Sequence, residues 1–179
     1  MMPTQSPVSR RTSLLALATS LSVNRRSLVL ALVIGTALTL ANQSRAVFND
    51  SPFNVAQLIL SYATPFVVIS LSQAFGIRAA LTEVAAGRPL SAAEHSFAAV
   101  AASHGIPRRA VVVALAVGSI LAIISQMLAV LKGAALGAVF SWSQFAQGYA
   151  LPLLFSTVSQ TIAFRRAFEA ALARTAASR

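Results

Sequence analysis

Residues 25–46 read RRSLVLALVIGTALTLANQSRA, and residues 108–129 read RRAVVVALAVGSILAIISQMLA. Arg25-Arg26 opens the first run and Arg108-Arg109 the second. Gly35, Gln43 and Ala46 return as Gly118, Gln126 and Ala129, each 83 positions later. A second pair of runs follows, QLILSYATPFVVISLSQAFGIR at 57–78 and QFAQGYALPLLFSTVSQTIAFR at 144–165. Here the displacement is 87, and Gln57, Tyr62, Ala63, Pro65, Ser72, Gln73 and Arg78 return as Gln144, Tyr149, Ala150, Pro152, Ser159, Gln160 and Arg165. Leu and Ala recur by chance in apolar sequence, whereas Gln, Tyr, Pro and Arg in register do not. The chain reads as a duplicated two-segment unit, a signal that precedes any other. The four-residue change falls between the two runs of each copy, where a loop absorbs it.

Composition then decides the solvent. The 179 residues are 56% hydrophobic and 10% charged, with mean hydropathy +0.73. A soluble domain carries about 25% charged residues, so this chain cannot clothe a water-facing bundle. The stretches Ser27–Ser44, Ser51–Ile77, Ala110–Leu131 and Gly133–Phe164 hold no charge. A bilayer crossing takes roughly 20 apolar residues, which predicts four spans at about 27–47, 54–76, 109–131 and 144–165. None alternates with period two, so a β-barrel is not expected. There is no cysteine, hence no disulfide framework and no thiolate metal site.

The net charge of +10 is placed for topology rather than for nucleic acid. Of 14 Lys and Arg, only Arg45 and Lys132 fall in the hairpin loops; the others lie in the N-terminal segment, the central connection or the tail. The positive-inside rule puts those three regions in the cytoplasm. The expected fold is therefore an all-α integral membrane protein with four transmembrane helices. They form two parallel, same-orientation helical hairpins related by an axis along the membrane normal, with both termini cytoplasmic. The organisation expected is an interfacial segment at 1–24, the first repeat at 25–78 and a cytoplasmic connection with a short helix at 79–107. The second repeat follows at 108–166 and a basic tail at 167–179.

Ser9-Arg10-Arg11-Thr12-Ser13 superficially resembles a leader, but the apolar run Leu14–Val23 is short. Leu14, Leu17 and Leu21 share a helical face, which predicts a helix along the inner membrane surface. In the connection, Ser91-Ala92-Ala93-Glu94 reads as a capping box for a helix over 91–103, with Phe97 and Val100 on one side, ended by Gly105 and Pro107. His95 and His104 are expected to be solvated, without a metal or catalytic role.

Absences narrow the function. No Asp, Glu, Lys, Arg or His lies in the middle of any span, so proton-coupled export of cationic drugs, which needs a membrane carboxylate, is disfavoured. No G-x-x-x-x-G-K-[ST] occurs, and no histidine at membrane depth could activate a hydroxyl. No enzyme, metal or cofactor is expected. What remains is neutral hydrogen-bonding groups. Ala31, Gly35, Thr39 and Gln43 form one stripe spaced by four, repeated as Ala114, Gly118, Ala122 and Gln126. Gly35 and Gly118 read as close helix contacts. Gln43 and Gln126, beside Asn42 and Ser44 or Ser125, serve either as interhelical glue, worth about 0.6–2 kcal/mol per bond, or as substrate contacts. Tyr62 and Gln73 share a face roughly 16 Å apart, as do Tyr149 and Gln160. Between them Pro65 and Pro152 each free a carbonyl in mid-membrane, which must find a partner or face water. That carbonyl is satisfied by Ser61 or Thr64, or the bend opens a cavity beside the tyrosine; the cavity is the expectation.

A path lined by Asn42, Gln43, Ser44, Gln57, Tyr62, Thr64, Gln73, Ser125, Gln126, Gln144, Tyr149 and Gln160, with Arg45 and Lys132 at its outer rim, suits a small monovalent anion. Neutral donors replace its modest hydration without trapping it. Four helices are too few to surround a wide aqueous path, so a homo-oligomer is expected in the bilayer.

The segment Leu32-Val33-Ile34-Gly35-Thr36-Ala37-Leu38-Thr39-Leu40-Ala41-Asn42-Gln43, followed by Leu60-Ser61-Tyr62-Ala63-Thr64-Pro65-Phe66, resembles the NrtS nitrate/nitrite transporter family. The likeness recurs at Val117-Gly118-Ser119-Ile120-Leu121 with Gln126, then Gly148-Tyr149-Ala150-Leu151-Pro152. Members of that family are small bacterial units of two membrane helices, so this chain looks like two such units fused. The resemblance implies nitrate or nitrite as the solute and the bacterial inner membrane as the location. Ser125-Gln126 stands where the first copy has Asn42-Gln43, and Leu128 where it has Arg45, which implies unequal contributions from the two copies. The competing expectations are a non-transporting accessory subunit and the disfavoured cation exporter.

Overall fold

The computed structural model describes residues 13–48, 52, 54–88, 96–131 and 142–177. Among them there are only helices: α1 (Leu14–Ala18), α2 (Leu21–Phe48), α3 (Val55–Ala85), α4 (Phe97–Ala102), α5 (Ile106–Leu131) and α6 (Trp142–Ala177). Segments of α2 and α5, Leu21–Ser44 and Ile106–Leu128, and the whole of α3 are long and apolar enough to cross a membrane. The longest helix, α6, has 36 residues and carries no charge from 148 to 164.

Each long helix outruns its expected span. Past Arg78, α3 continues through an alanine-rich turn and stops only where Gly87 takes a left-handed φ of 66°. Likewise α6 runs on to Ala177, so the expected tail at 167–179 is mostly helix. Alanine is the strongest helix former and no Gly or Pro interrupts it there. At 31 residues, α3 is about 46 Å long, well beyond the ~30 Å of hydrocarbon in a bilayer. The excess lies at the end of the bundle carrying Arg25, Arg26, Arg78, Arg108, Arg109, Arg165 and Arg166, called here the arginine end. The opposite end, where α2 and α5 finish and α3 and α6 begin, is called the loop end.

The helices pack in the order α2, α3, α6, α5, with α2 and α5 on the outside and not in contact with each other among the described residues. Two contacts set each hairpin. Gly35 of α2 lies under the ring of Tyr62 of α3, and Gly118 of α5 lies under Tyr149 of α6. A Cβ on either glycine would overlap the ring, so only glycine lets the aromatic side chain come this close to the neighbouring backbone. Tyr62 pairs its hydroxyl with Thr36 at 3.1 Å, and Tyr149 with Ser119 at 3.5 Å. The same lock thus occurs in both halves, at residues the repeat relates.

Between the hairpins, α3 and α6 run side by side in the same direction. A Cβ at Gly76 would meet the backbone of Gln160 and come within 3.1 Å of the Ala163 methyl, so a small residue is required at the crossing. One turn nearer the loop end, Ser72 Oγ donates to Ser156 Oγ at 2.8 Å, and Gln160 Nε2 donates to the same oxygen at 2.9 Å. Toward the arginine end the crossing turns apolar, with Ala79, Ala80, Phe164 and Phe168.

The connection closes this end. Ser96 caps α4 by accepting from the Ala99 N–H. Val100 and Ile106 are wholly buried against Phe164 and Phe168, while Phe97 is exposed. Thus α4 runs from Phe97, and only one of its two expected apolar contacts turns inward; the expected helix start near 91, the capping box at Ser91–Glu94 and His95 lie outside the described residues. His104 is not solvated. It stacks on Phe164 with ring centroids 4.5 Å apart and faces Glu83 at 3.9 Å. With Gly105 it makes the left-handed turn from α4 to α5 (φ 54° and 68°), and Pro107 sits in the first turn of α5, where a missing N–H costs nothing.

The N-terminal run does not form one helix through Leu21. It breaks at Thr19–Ser20, where Thr19 Oγ1 donates to the Leu15 carbonyl and Asn24 Nδ2 to that of Thr19. The short α1 rests on α3 through the buried Ala18, and Leu15 and Leu21 stay exposed.

Candidate functional site

A pocket of about 190 Å³ lies between the hairpins in the half nearer the loop end, and all four long helices line it. Its lining comes in pairs that the repeat relates: Leu38 with Leu121, Asn42 with Ser125, Pro65 with Pro152. Ser61 with Gly148, Thr64 with Leu151 and Val68 with Phe155 complete the pairing. The pocket therefore straddles the line about which the two halves correspond, and we call it the axial pocket.

The prolines explain its position. Each lacks the N–H that would close on the residue four back, and those residues are Ser61 and Gly148, both in the pocket wall. The two helices stay continuous through Pro65 and Pro152. The Ser61 hydroxyl is spent on the Gln57 carbonyl at 2.9 Å and does not donate to the pocket. Four other polar side chains face it: Asn42, Gln57, Thr64 and Ser125. None of the four makes a side-chain hydrogen bond among the described residues, and no ionisable residue lines the pocket. Such a site offers neutral N–H and O–H donors beside two freed carbonyl acceptors. Toward the arginine end Val68, 1% exposed, and Phe155 form its floor. Beneath them lies the polar crossing of Ser72, Ser156 and Gln160, all wholly buried.

The expected path residues divide into three groups. Asn42, Gln57, Thr64 and Ser125 meet in the axial pocket, with Pro65 and Pro152. Gln43, Tyr62, Tyr149 and Gln160 are engaged within the protein. The Gln43 amide grips the backbone of Asn54, donating to its carbonyl at 3.1 Å and accepting from its N–H at 2.9 Å. Gln43 itself leaves helical geometry (φ −124°, ψ 25°) to reach Asn54, the residue that caps α3 through Oδ1 and the Gln57 N–H. Of the two roles open to Gln43, the glue is the one its contacts fill. The tyrosines serve the glycine locks, and neither lines the axial pocket.

The third group falls elsewhere. Gln73 is buried in a different groove, between α2 and α6. Ser44 is exposed and Gln126 half-buried, Gln126 with a partner inside the protein; neither lines the pocket. The side chains of Arg45 and Gln144, and all of Lys132, lie outside the described residues. The first-copy stripe holds as drawn, with Ala31, Gly35, Thr39 and Gln43 all buried. In the second copy Ala114 and Gly118 are buried but Ala122 is exposed.

Residues the sequence reading passed over include Leu38, Leu121, Gly148 and Phe155, all in the pocket wall. Helical spacing was a usable signal for three of them. Leu38 and Leu121 lie one turn before Asn42 and Ser125, and Gly148 one turn before Pro152. Ser156 had no such signal, since its counterpart is Ile69.

Fold and site together define a protein that is all-helical among the described residues, with membrane-length helices and an uncharged polar pocket between its two hairpins. Comparison with protein-family models, with curated proteins and with solved structures finds no match for this chain.

Proposed function

We propose that the protein is a membrane permease for small monovalent anions, nitrate or nitrite, built as two fused NrtS-like hairpins. In this reading four helices span the bacterial inner membrane, with both termini and the arginine end cytoplasmic by the positive-inside rule. The observation that carries the reading is the axial pocket. Its unpaired donors, from Asn42, Gln57, Thr64 and Ser125, sit in a wall without any charge. Such donors exchange for the weak hydration of a large monovalent oxyanion and release it again, where a buried guanidinium would hold it. Because one chain already encloses the pocket, each protomer of a homo-oligomer would carry its own path.

Inward movement of an anion against an inside-negative potential costs about 2.3 kcal/mol per 100 mV. Uptake thus needs a steep gradient, such as rapid reduction of nitrate inside would maintain. Nitrate flux into proteoliposomes containing only this protein tests the reading. Asn42→Ala with Ser125→Ala should lower flux at least about tenfold, the effect of losing ~1.4 kcal/mol of binding contacts, while leaving assembly intact. Flux no greater than in empty liposomes would overturn it.

One observation favours a second reading, a non-transporting accessory subunit. Below Val68 and Phe155, α3 and α6 meet directly through Ser72 and Ser156, so the pocket is closed toward the arginine end. That reading expects co-purification with a partner complex, and no flux.

A further inference from the structure

A groove of about 870 Å³ runs along α2 and α6 on the side where these helices stay apart. Its walls are apolar over most of their length. Val29, Leu30, Leu154 and Ile162 in those walls keep 40–56% of their surface exposed, so the groove opens sideways, where lipid would lie. One end differs. Arg25, Arg26 and Arg166 line it, and none of the three pairs with a carboxylate among the described residues. Glu169, one turn beyond Arg166, does not line the groove. Gln73 and Ser159, each 7% exposed, also face it, and neither side chain is hydrogen-bonded among the described residues. The register that sets Gly35 beside Tyr62 and Gln43 beside Asn54 carries Arg25 to the level of Ser72 and Gln73. Guanidinium groups and unsatisfied neutral donors therefore share one level, and the apolar length extends from it toward mid-bundle.

We propose that this groove binds an anionic phospholipid. The phosphate sits on Arg25 and Arg26, the ester level meets Gln73 and Ser159, and an acyl chain lies along Val29, Ile34 and Val158. Charge complementarity selects the occupant, because guanidinium pairs bind phosphate in bidentate fashion and the groove supplies no carboxylate to compete. A second copy of the chain is the poorer fit. A same-way-up twofold partner would bring its own three arginines to the same level, and like charges so placed repel.

The arrangement recurs in the other half. Arg108, Arg109 and Val112, the counterparts of Arg25, Arg26 and Val29, line a smaller cavity of about 340 Å³ with Phe75, the counterpart of Ile162. There Nη1 of Arg109 is buried without a partner. Gly105 of the connection and the approach of α5 to α3 narrow that cavity, which leaves the α2–α6 groove as the roomier site. The inference rests on the membrane setting alone and holds whatever solute the axial pocket carries.

The test uses the full chain, delipidated in neutral detergent, with the thermal unfolding midpoint and native mass spectrometry as readouts. Phosphatidylglycerol should raise the midpoint and remain bound in the gas phase. Phosphatidylcholine and free glycerol phosphate should do neither. R25Q/R26Q should weaken phosphatidylglycerol binding about tenfold or more, as loss of two basic contacts to an anionic headgroup implies. V158W, which fills the groove without changing charge, should weaken it too, so a failure of one variant to fold leaves the other as a test. Equal shifts with both lipids, a full shift with glycerol phosphate alone, or cross-links between copies through Val29 and Ile162 would each overturn the proposal.

Discussion

At the scale of single residues, two glycines and one glutamine set the shape of the hairpins. A methyl at Gly35 or Gly118 has nowhere to go, because the Tyr62 or Tyr149 ring already lies on the backbone. Gly35→Ala and Gly118→Ala should each destabilise the protein by about 1–3 kcal/mol, the usual cost of overpacking, read as a lowered unfolding midpoint in detergent. Tyr62→Phe, which keeps the ring and drops only the exposed bond to Thr36, should cost far less. Gln43→Ala would strip both the N–H and the carbonyl of Asn54 of their partner. A loss of about 1–3 kcal/mol is expected, with proteolysis between α2 and α3 as an independent readout. If flux falls in that variant while stability does not, the clamp assignment is wrong.

At the scale of helices, the crossing of α3 with α6 holds the halves together. The chain has no cysteine, so S72C/S156C introduces the only pair. With Oγ atoms 2.8 Å apart in the wild type, oxidation should give an intramolecular disulfide, seen as a reducible mobility shift. The control pair S70C/S156C should give none. Gly76→Val should push the helices apart and abolish that cross-link. Much of the architecture within each hairpin was legible beforehand, whereas this crossing was not. Periodicity and repetition located the helices, the two glycine contacts and the proline-centred weak points, because those depend on local spacing along one helix. Which neighbour each polar side chain would choose was not legible. Gln43 and Gln126 occupy matched positions, yet Gln43 seizes a loop backbone that only the turn geometry brings near. Ser156 likewise acquires its role from α3, which its own flanking sequence does not encode. His104 looked like a surface histidine until the left-handed turn at His104–Gly105 laid it on Phe164.

At the scale of the whole molecule, the arginine end is polar, long-helixed and capped by the connection, while the loop end carries the pocket. Single cysteines at Ala102 and Ala177 should react with an impermeant maleimide from one face of sealed membrane vesicles, and a cysteine at Phe48 only from the other. Labelling of Ala102 and Phe48 from the same face would reverse the spanning assignment for α2 and α5. The glycine–tyrosine lock also bears on ancestry. Since the glycine–tyrosine contact forms within each hairpin, a lone hairpin would carry the same lock. Its remaining bare flank is the α3-type surface, with a small residue at the Gly76 level and a hydroxyl at the Ser72 level. Two separate polypeptides of that kind could nestle flank to flank, and joining their genes would then free each flank to drift apart in sequence, as Ile69 and Ser156 have.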